Sequence, residues 1–369
     1  MRIDHNIHLD YSDVLLKPKR STLSSRRDVD ITREFKFRNS GQSAKFVPIV
    51  ASNMDGVGTF EIAKVLQEHH MLTVLSKHYD ILDWDRAMGK GLKLQHVSVC
   101  TGTGAIWDNN ANDYQTLKQV LQKYPDVNFI TIDVANAYHE QFVDFVKRIR
   151  SEYPDKTIIA GNVVTPEMVE ELIINGADMV KVGIGPGSVC TTRTQTGVGV
   201  PQFSAVIECA DAANGVGGHI MADGGCTAPG DVAKALAAGA HTVMLGGLLA
   251  GHDEGGGKII EEKVQLNKLQ NQSPQIEVKK YIEFYGMSSE SAFERHGARK
   301  DGYRGTEGKT VRLEYKGAVK NTVEQILGGV RSTCTYIGAR RIKDMPKCAH
   351  FVRVNNVINR VFDSNEVKA

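Results

Sequence analysis

No charge of either sign dominates this chain of 369 residues: 45 Lys and Arg stand against 43 Asp and Glu, a net charge of +2. Without a basic field, neither nucleic acid nor an anionic membrane is favoured as a partner, and a small molecule becomes the default expectation. Nowhere do about 18 apolar residues follow one another, as a spanning helix requires. The opening MRIDHNIHLDYSDVLL places charges where a signal peptide needs an apolar run. Both absences read as a soluble cytoplasmic protein. No C-x-x-C joins any of the six cysteines, Cys100, Cys190, Cys209, Cys226, Cys334 and Cys348, which excludes a zinc ribbon and a thioredoxin-like motif. Reduced thiols remain, most of them expected to be small buried hydrophobes.

What the chain does contain is repetition. Eight short β-branched runs recur, FVPIVASNM, LTVLSKH, HVSVCTG, NFITIDVANA, KTIIAGNVV, DMVKVGIG, HIMADGG and HTVMLGG, each followed by an amphipathic helical pattern. Runs with so little polar alternation suit parallel strands buried on both faces. In HEQFVDFVKRIRSEYP, Phe142, Phe145, Val146 and Ile149 fall on one helical stripe. Two segments echo each other: TPEMVEELIINGADMVKVGIG and APGDVAKALAAGAHTVMLGG. Pro166 and Pro229 suit first helical turns, and Gly176 and Gly239 suit left-handed C-caps. The expectation is one α/β domain over 1–369, a TIM (β/α)8 barrel with an N-terminal extension (1–45) and a long excursion after strand 8 (248–325). A doubly wound open sheet is the alternative, weakened because no strand-to-helix G-x-G-x-x-G opens a Rossmann unit. The excursion is far longer than an ordinary βα loop, and it leaves from the barrel face where active sites lie. Within it, NKLQNQSPQ reads as polar and mobile.

Three groups of motifs point to chemistry. GIGPGSVC follows the sixth strand, so barrel geometry puts Cys190 on the catalytic face. Its neighbours Ser188, Thr191, Thr192 and Arg193 suit a reactive thiolate better than a packing thiol. The unshielded backbone of Gly183, Gly185 and Gly187 suits a phosphate or a monovalent cation. ADGG and LGG end the seventh and eighth strands, matching the usual barrel phosphate site. Asp223 there serves either a ribose diol or the cap of the next helix. Glu307 and Lys309 in YRGTEGKT are acid-base candidates. His252-Asp253-Glu254 fits the H-x-E of zinc deaminases, but no P-C-x-x-C accompanies it and the match is assigned to chance.

GIGPGSVCTTR, TGVGVPQ, DGGCTAPGDVAKA, VMLGGLLAG, FYGMSSESA, EGKTV and ILGGVRSTCTY resemble the guanosine monophosphate (GMP) reductase family across nearly the whole chain. Its sister family, inosine monophosphate (IMP) dehydrogenase, shares the barrel and the cysteine loop. GMSSE, DGGC, EGKT and the absence of a CBS-type regulatory insert after LSKHYD favour the reductase. An IMP dehydrogenase lacking that insert, or a catalytically silent purine-nucleotide sensor, is the competing reading. The resemblance implies conversion of GMP to IMP and ammonia with NADPH through a thioimidate on Cys190, with Thr192 and Glu307 handling protons. It implies that Ser188, Asp223, Gly224, Gly225, Gly246, Gly247, Gly286, Met287, Ser288, Arg304 and Gly308 hold GMP. Lys77, Asp133, Val134, Ala135, Ile184, Gly185, Tyr303, Ser332, Thr333, Cys334 and Thr335 would contact the cofactor, with Ser25 and Arg26 contributed by a neighbouring subunit of a homotetramer. The carbonyls of Gly185, Gly187 and Cys190 match the family's potassium site. EKVQLNKLQNQSPQIEV is longer than the family pattern.

Overall fold

In the computed structural model the described residues are all except 2, 105–111, 267–274, 297–304 and 356–369. Eight parallel strands close into a barrel: Ile49–Ala51, Leu72–Val74, Val97–Thr101, Phe129–Asp133, Thr157–Val163, Met179–Val182, His219–Asp223 and Thr242–Leu245. These are the eight runs read from the sequence, and the open-sheet alternative falls because the first strand pairs with the eighth (Val50↔Met244). Helices follow the strands, the last of the barrel helices being Val319–Ile337 after the long excursion. Helix Glu140–Glu152 buries the stripe Phe142, Phe145, Val146 and Ile149. The two echoing helices, Pro166–Ile174 and Pro229–Ala237, each start with proline. Each ends in the same motif, with Ala177 N–H donating to Leu172 and Ala240 N–H to Ala235 across Gly176 (φ 121°) and Gly239 (φ 113°).

The apolar interior divides into two clusters. The larger lies between strands and helices; the smaller fills the lower barrel with Val50, Leu72, Val74, Cys100, Phe129, Ile159, Met179, Met221 and Met244. The N-terminal extension closes that lower end. Its hairpin, Arg33–Lys36 paired with Ser43–Phe46, delivers Phe35, Phe37 and Phe46 into the smaller cluster. Phe35 stacks on Phe46 at 4.6 Å, and Phe37 meets Phe129 edge-on at 6.0 Å. A further extension strand, Val14–Leu16, pairs antiparallel with Phe351–Arg353.

The excursion is a three-stranded antiparallel sheet of Ile259–Leu266, Gln275–Tyr285 and Thr310–Glu314, with helix Glu290–His296 after its second strand. The polar stretch expected to be mobile lies largely outside the described residues, between two strands that pair Leu266 with Gln275. His252 is fully buried, its ring nitrogens meeting the Leu249 carbonyl (3.1 Å) and the Thr322 hydroxyl (2.7 Å). It fastens the start of the excursion to the last helix, and among the described residues no His, Cys, Asp and Glu cluster fit to hold a metal ion exists. Among those residues no helix is long and apolar enough to cross a membrane.

Removing one ring of the plug tests its share of stability. Phe35→Ala deletes a side chain only 1 % exposed, so unfolding in urea should show a loss of about 3–5 kcal/mol. A loss below about 1 kcal/mol would mean that the hairpin caps the barrel without holding it.

Candidate active site

The interior changes character toward the C-terminal end of the barrel. Lys181 lies two residues above Met179 on the sixth strand, so it points inward, and it is 2 % exposed. Its ammonium pairs with Asp133 at the end of the fourth strand and lies 3.3 Å from Asp223 at the end of the seventh. Amide nitrogens complete the cluster: Asn53 donates to Asp133 (2.9 Å) and Asn162 to Asp223 (2.8 Å). Gly161 on the fifth strand makes room, since a Cβ there would lie 2.6 Å from that of Lys181. Burial opposes the charge of Asp133, but Lys181 and the Asn53 hydrogen bond hold its carboxyl below the ordinary range. Burial likewise disfavours the Lys181 ammonium, and the two carboxylates outweigh it and raise its pKa. Asp223 therefore joins this cluster; Asp231 supplies the cap of the next helix, accepting from Thr227 and Ala228 N–H.

Beside this cluster lies a cavity of about 240 Å³. Cys190, Thr192 and Glu307 line it together: the Cys190 thiol and Thr192 hydroxyl are 3.2 Å apart, and that hydroxyl donates to Glu307 at 2.6 Å. Their proximity comes from backbone pairing between the cysteine loop and the excursion. Thr191 N–H donates to the Glu307 carbonyl (2.9 Å), and Lys309 N–H donates to that of Val189 (2.9 Å). Cys190 and Gly308 thus face each other as antiparallel bridge partners. Gly308 is required by closeness, because a Cβ there would lie 2.9 Å from the Ser289 nitrogen. Lys309, the other acid-base candidate, is exposed. Arg193 anchors the loop to the N-terminal extension, donating to Asp10 at 2.9 Å and to the Val200 carbonyl at 2.7 Å.

Four other thiols are kept protonated chiefly by burial: Cys100, Cys209 and Cys334 are each pushed up to about 12, and Cys226 well above its ordinary value. Cys190 is partly exposed, and its sulfur faces the cavity chain just described.

Asp223, Gly224, Gly286, Met287, Ser288 and Gly308 line the same cavity, as do Ile184, Gly185 and Gly187. Gly246 adjoins it, since a Cβ there would lie 3.1 Å from the sulfur of Met54, which lines the cavity. Gly247 lies against Ser188, 2.9 Å from a Cβ position to its hydroxyl, and neither of these two lines the cavity. Gly225 lies against the ring of Tyr11. A second cavity, of about 820 Å³, is lined by Lys77, His78, Asp113 and Phe293 among others. The two share Asn53, Asp133, Val134, Ala135, Met287 and Ser288. Ser25, Arg26 and Ser332–Thr335 line neither, and the Cys334 side chain is wholly buried in the core. The 3-10 turn Arg26–Asp28 packs on helix Val319–Ile337, so these residues form a separate patch. Tyr303 and Arg304 lie outside the described residues. Sequence reading passed over Lys181, Asn53 and Asn162. The signal for Lys181 was present, a single charge inside the apolar run DMVKVGIG.

Lys181→Met would leave two carboxylates facing each other, and stability at pH 7 should fall by about 3–5 kcal/mol, the usual cost of halving a buried ion pair. Because the native Asp133 pKa is depressed, its contribution is complete above the unfolded value of about 3.9 and is lost as pH falls through the folded pKa. Urea unfolding should therefore show the gap between variant and wild type holding from pH 7 down to about pH 4 and narrowing below it. A gap independent of pH would contradict the pairing.

A family model described as the IMP dehydrogenase / GMP reductase domain matches residues 8–360. Human GMP reductase 2 is 53% identical over 361 residues, covering 98% of both chains. Mouse GMP reductase 1 is 54% identical over 98% of this chain and 99% of its own. The GMP reductase of Citrobacter koseri is 54% identical over 99% of this chain and all of its own. With its closed barrel, its cysteine loop and its clasped excursion, the chain belongs to the IMP dehydrogenase / GMP reductase family.

Proposed function

We propose that this protein converts GMP to IMP and ammonia with NADPH. The observation that carries the proposal is the Cys190–Thr192–Glu307 chain at 3.2 and 2.6 Å, set in a cavity that opens onto a second, larger one. A mononucleotide beside the thiol and a dinucleotide in the neighbouring space would meet at the six shared residues. The curated relatives named above carry the reductase name, and none of those three is called a dehydrogenase.

In this reading the glycine-rich ends of the seventh and eighth strands, with Ser188, take the nucleotide phosphate, and Asp223 takes the ribose diol. Cys190 attacks C2 of guanine as the thiolate, forming the C–S bond. Glu307, through Thr192, delivers the proton with which the exocyclic amine leaves as ammonia as its C–N bond breaks. The product of this half is a thioimidate on Cys190. NADPH, when bound, supplies a hydride to C2. The C–S bond then breaks, restoring the thiolate and releasing IMP. Lys77, Asp133, Val134 and Ala135 would hold the cofactor, with Ile184 and Gly185 beside the reacting carbon. Ser25 and Arg26 of a neighbouring subunit in a homotetramer, and the Ser332–Thr335 run, would complete its site. The carbonyls of Gly185, Gly187 and Cys190 are hard oxygen donors that suit potassium, and the loop already turns back so that Cys190 N–H donates to the Gly187 carbonyl at 3.1 Å.

Incubation with GMP plus NADPH, and separately with IMP plus NAD, tests the direction of the reaction. Reduced-cofactor absorbance should fall in the first and stay flat in the second. Cys190→Ala should abolish turnover while GMP still binds, and mass spectrometry of quenched wild type should show a nucleotide on Cys190. Substantial turnover by the alanine variant would sink the covalent route.

Glu307→Gln separates the halves of the reaction, since only deamination needs the relayed proton. GMP reduction should fall by about 100- to 10,000-fold. Reduced-cofactor formation from IMP and NADP in a single turnover should survive better. Parallel loss in both assays would instead assign Glu307 to ordering its loop.

A further inference from the structure

We propose that Asp55 is a positioning residue of the active site, fastening the turn Gly286–Ser288 across both cavities through Tyr285 and His296. Asp55 lies in the loop after the first barrel strand and is only partly accessible, its side chain 9% exposed. One of its oxygens accepts from the Tyr285 hydroxyl at 2.7 Å and meets His296 Nε2 at 2.7 Å; the other accepts from Ser76 at 3.3 Å. Tyr285 ends the middle strand of the excursion, and His296 ends the helix Glu290–His296. The stretch between them thus leaves from and returns to one barrel carboxylate. Within it lie Gly286, Met287 and Ser288, of which the last two line both cavities.

Other contacts reinforce the same point. The His296 ring stacks on His78 of the barrel at 3.4 Å with the planes 9° apart. Arg295 donates to the Tyr285 hydroxyl at 3.1 Å and lies 4.0 Å from Asp55. Phe284 is buried at 3% exposure beside this point. Burial raises the Tyr285 pKa to about 12, with its hydrogen bond to Asp55 adding to the shift, so the hydroxyl stays a donor. Over the cavities the excursion is therefore held by its backbone on the cysteine loop and by its side chains on Asp55. The first holds Glu307 against Thr192, and the second sets where Met287 and Ser288 stand.

The effect on catalysis rests on the proposed function, whereas the fastening itself is measurable without turnover. Amide hydrogen exchange of the nucleotide-free protein should show residues 286–296 losing about 10- to 100-fold protection in Asp55→Ala, the scale of a lost hydrogen bond to a charged group. Barrel-strand amides should be unchanged. In steady state, KM for GMP and for NADPH should both rise by up to a similar factor while kcat falls less. Tyr285→Phe removes only a hydroxyl, keeps the experiment open if Asp55→Ala does not fold, and should give a smaller change in the same amides. Added to Asp55→Ala it should cost little further, because both act through one hydrogen bond. Unchanged exchange in 286–296, or an equal loss throughout the barrel, would overturn the positioning role. A wild type that consumes no NADPH with GMP would instead refute the proposed reaction and leave the exchange result standing.

Discussion

The ammonium of Lys181 is a buried positive charge inside the barrel, and the upper end of the barrel is arranged around it. A charge out of water is tolerated when opposite charges and hydrogen bonds surround it. Here Asp133 and Asp223 do so from strands on either side, with Asn53 and Asn162 completing their shells. The cation also decides what the cavities can bind. Asp133 lines both, Asp223 lines the smaller, and one buried ammonium neutralises much of their joint charge before any ligand arrives. A negatively charged nucleotide would then meet acceptors for its hydroxyls without facing two uncompensated anions.

This polar layer is affordable because the layers beneath it are dry. Val50, Leu72, Ile159 and the methionines of strands six to eight fill the lower barrel, and the phenylalanines of the N-terminal hairpin close it. Helices cover the outer face of the strands through the larger cluster. Stability is thus concentrated below and around, leaving the C-terminal end free to carry charge, glycine and a partly exposed thiol.

The sequence announced the barrel strongly because parallel strands buried on both faces leave a signal that needs no long-range information: eight β-branched runs, with repeated proline and glycine at helix ends. Cys190 was legible from its loop; Glu307 was one of two charged candidates from the residues alone, and only the family resemblance singled it out. What brings Glu307, and not Lys309, to the Thr192 hydroxyl is the pairing of residues 189–191 with 307–309, which joins segments more than a hundred residues apart. Asp55 was illegible for the same reason: nothing in SNMDGVG tells that a tyrosine and a histidine from the excursion will meet it. Lys181 could have been found from one charge in an apolar strand, but its partners come from strands four and seven. The hairpin plug left a weaker trace, three phenylalanines in a segment read simply as an extension.

The antiparallel bridge between Cys190 and Gly308 ties the position of the excursion to the hydrogen-bonded chain beside the sulfur. Lifting the excursion to admit a nucleotide would carry Glu307 away from Thr192 in the same movement. An open molecule would therefore present a thiol stripped of the hydrogen-bonded chain that makes it useful, and the chain would reassemble only as the entrance narrows. Such coupling would guard the thiol against stray electrophiles by geometry.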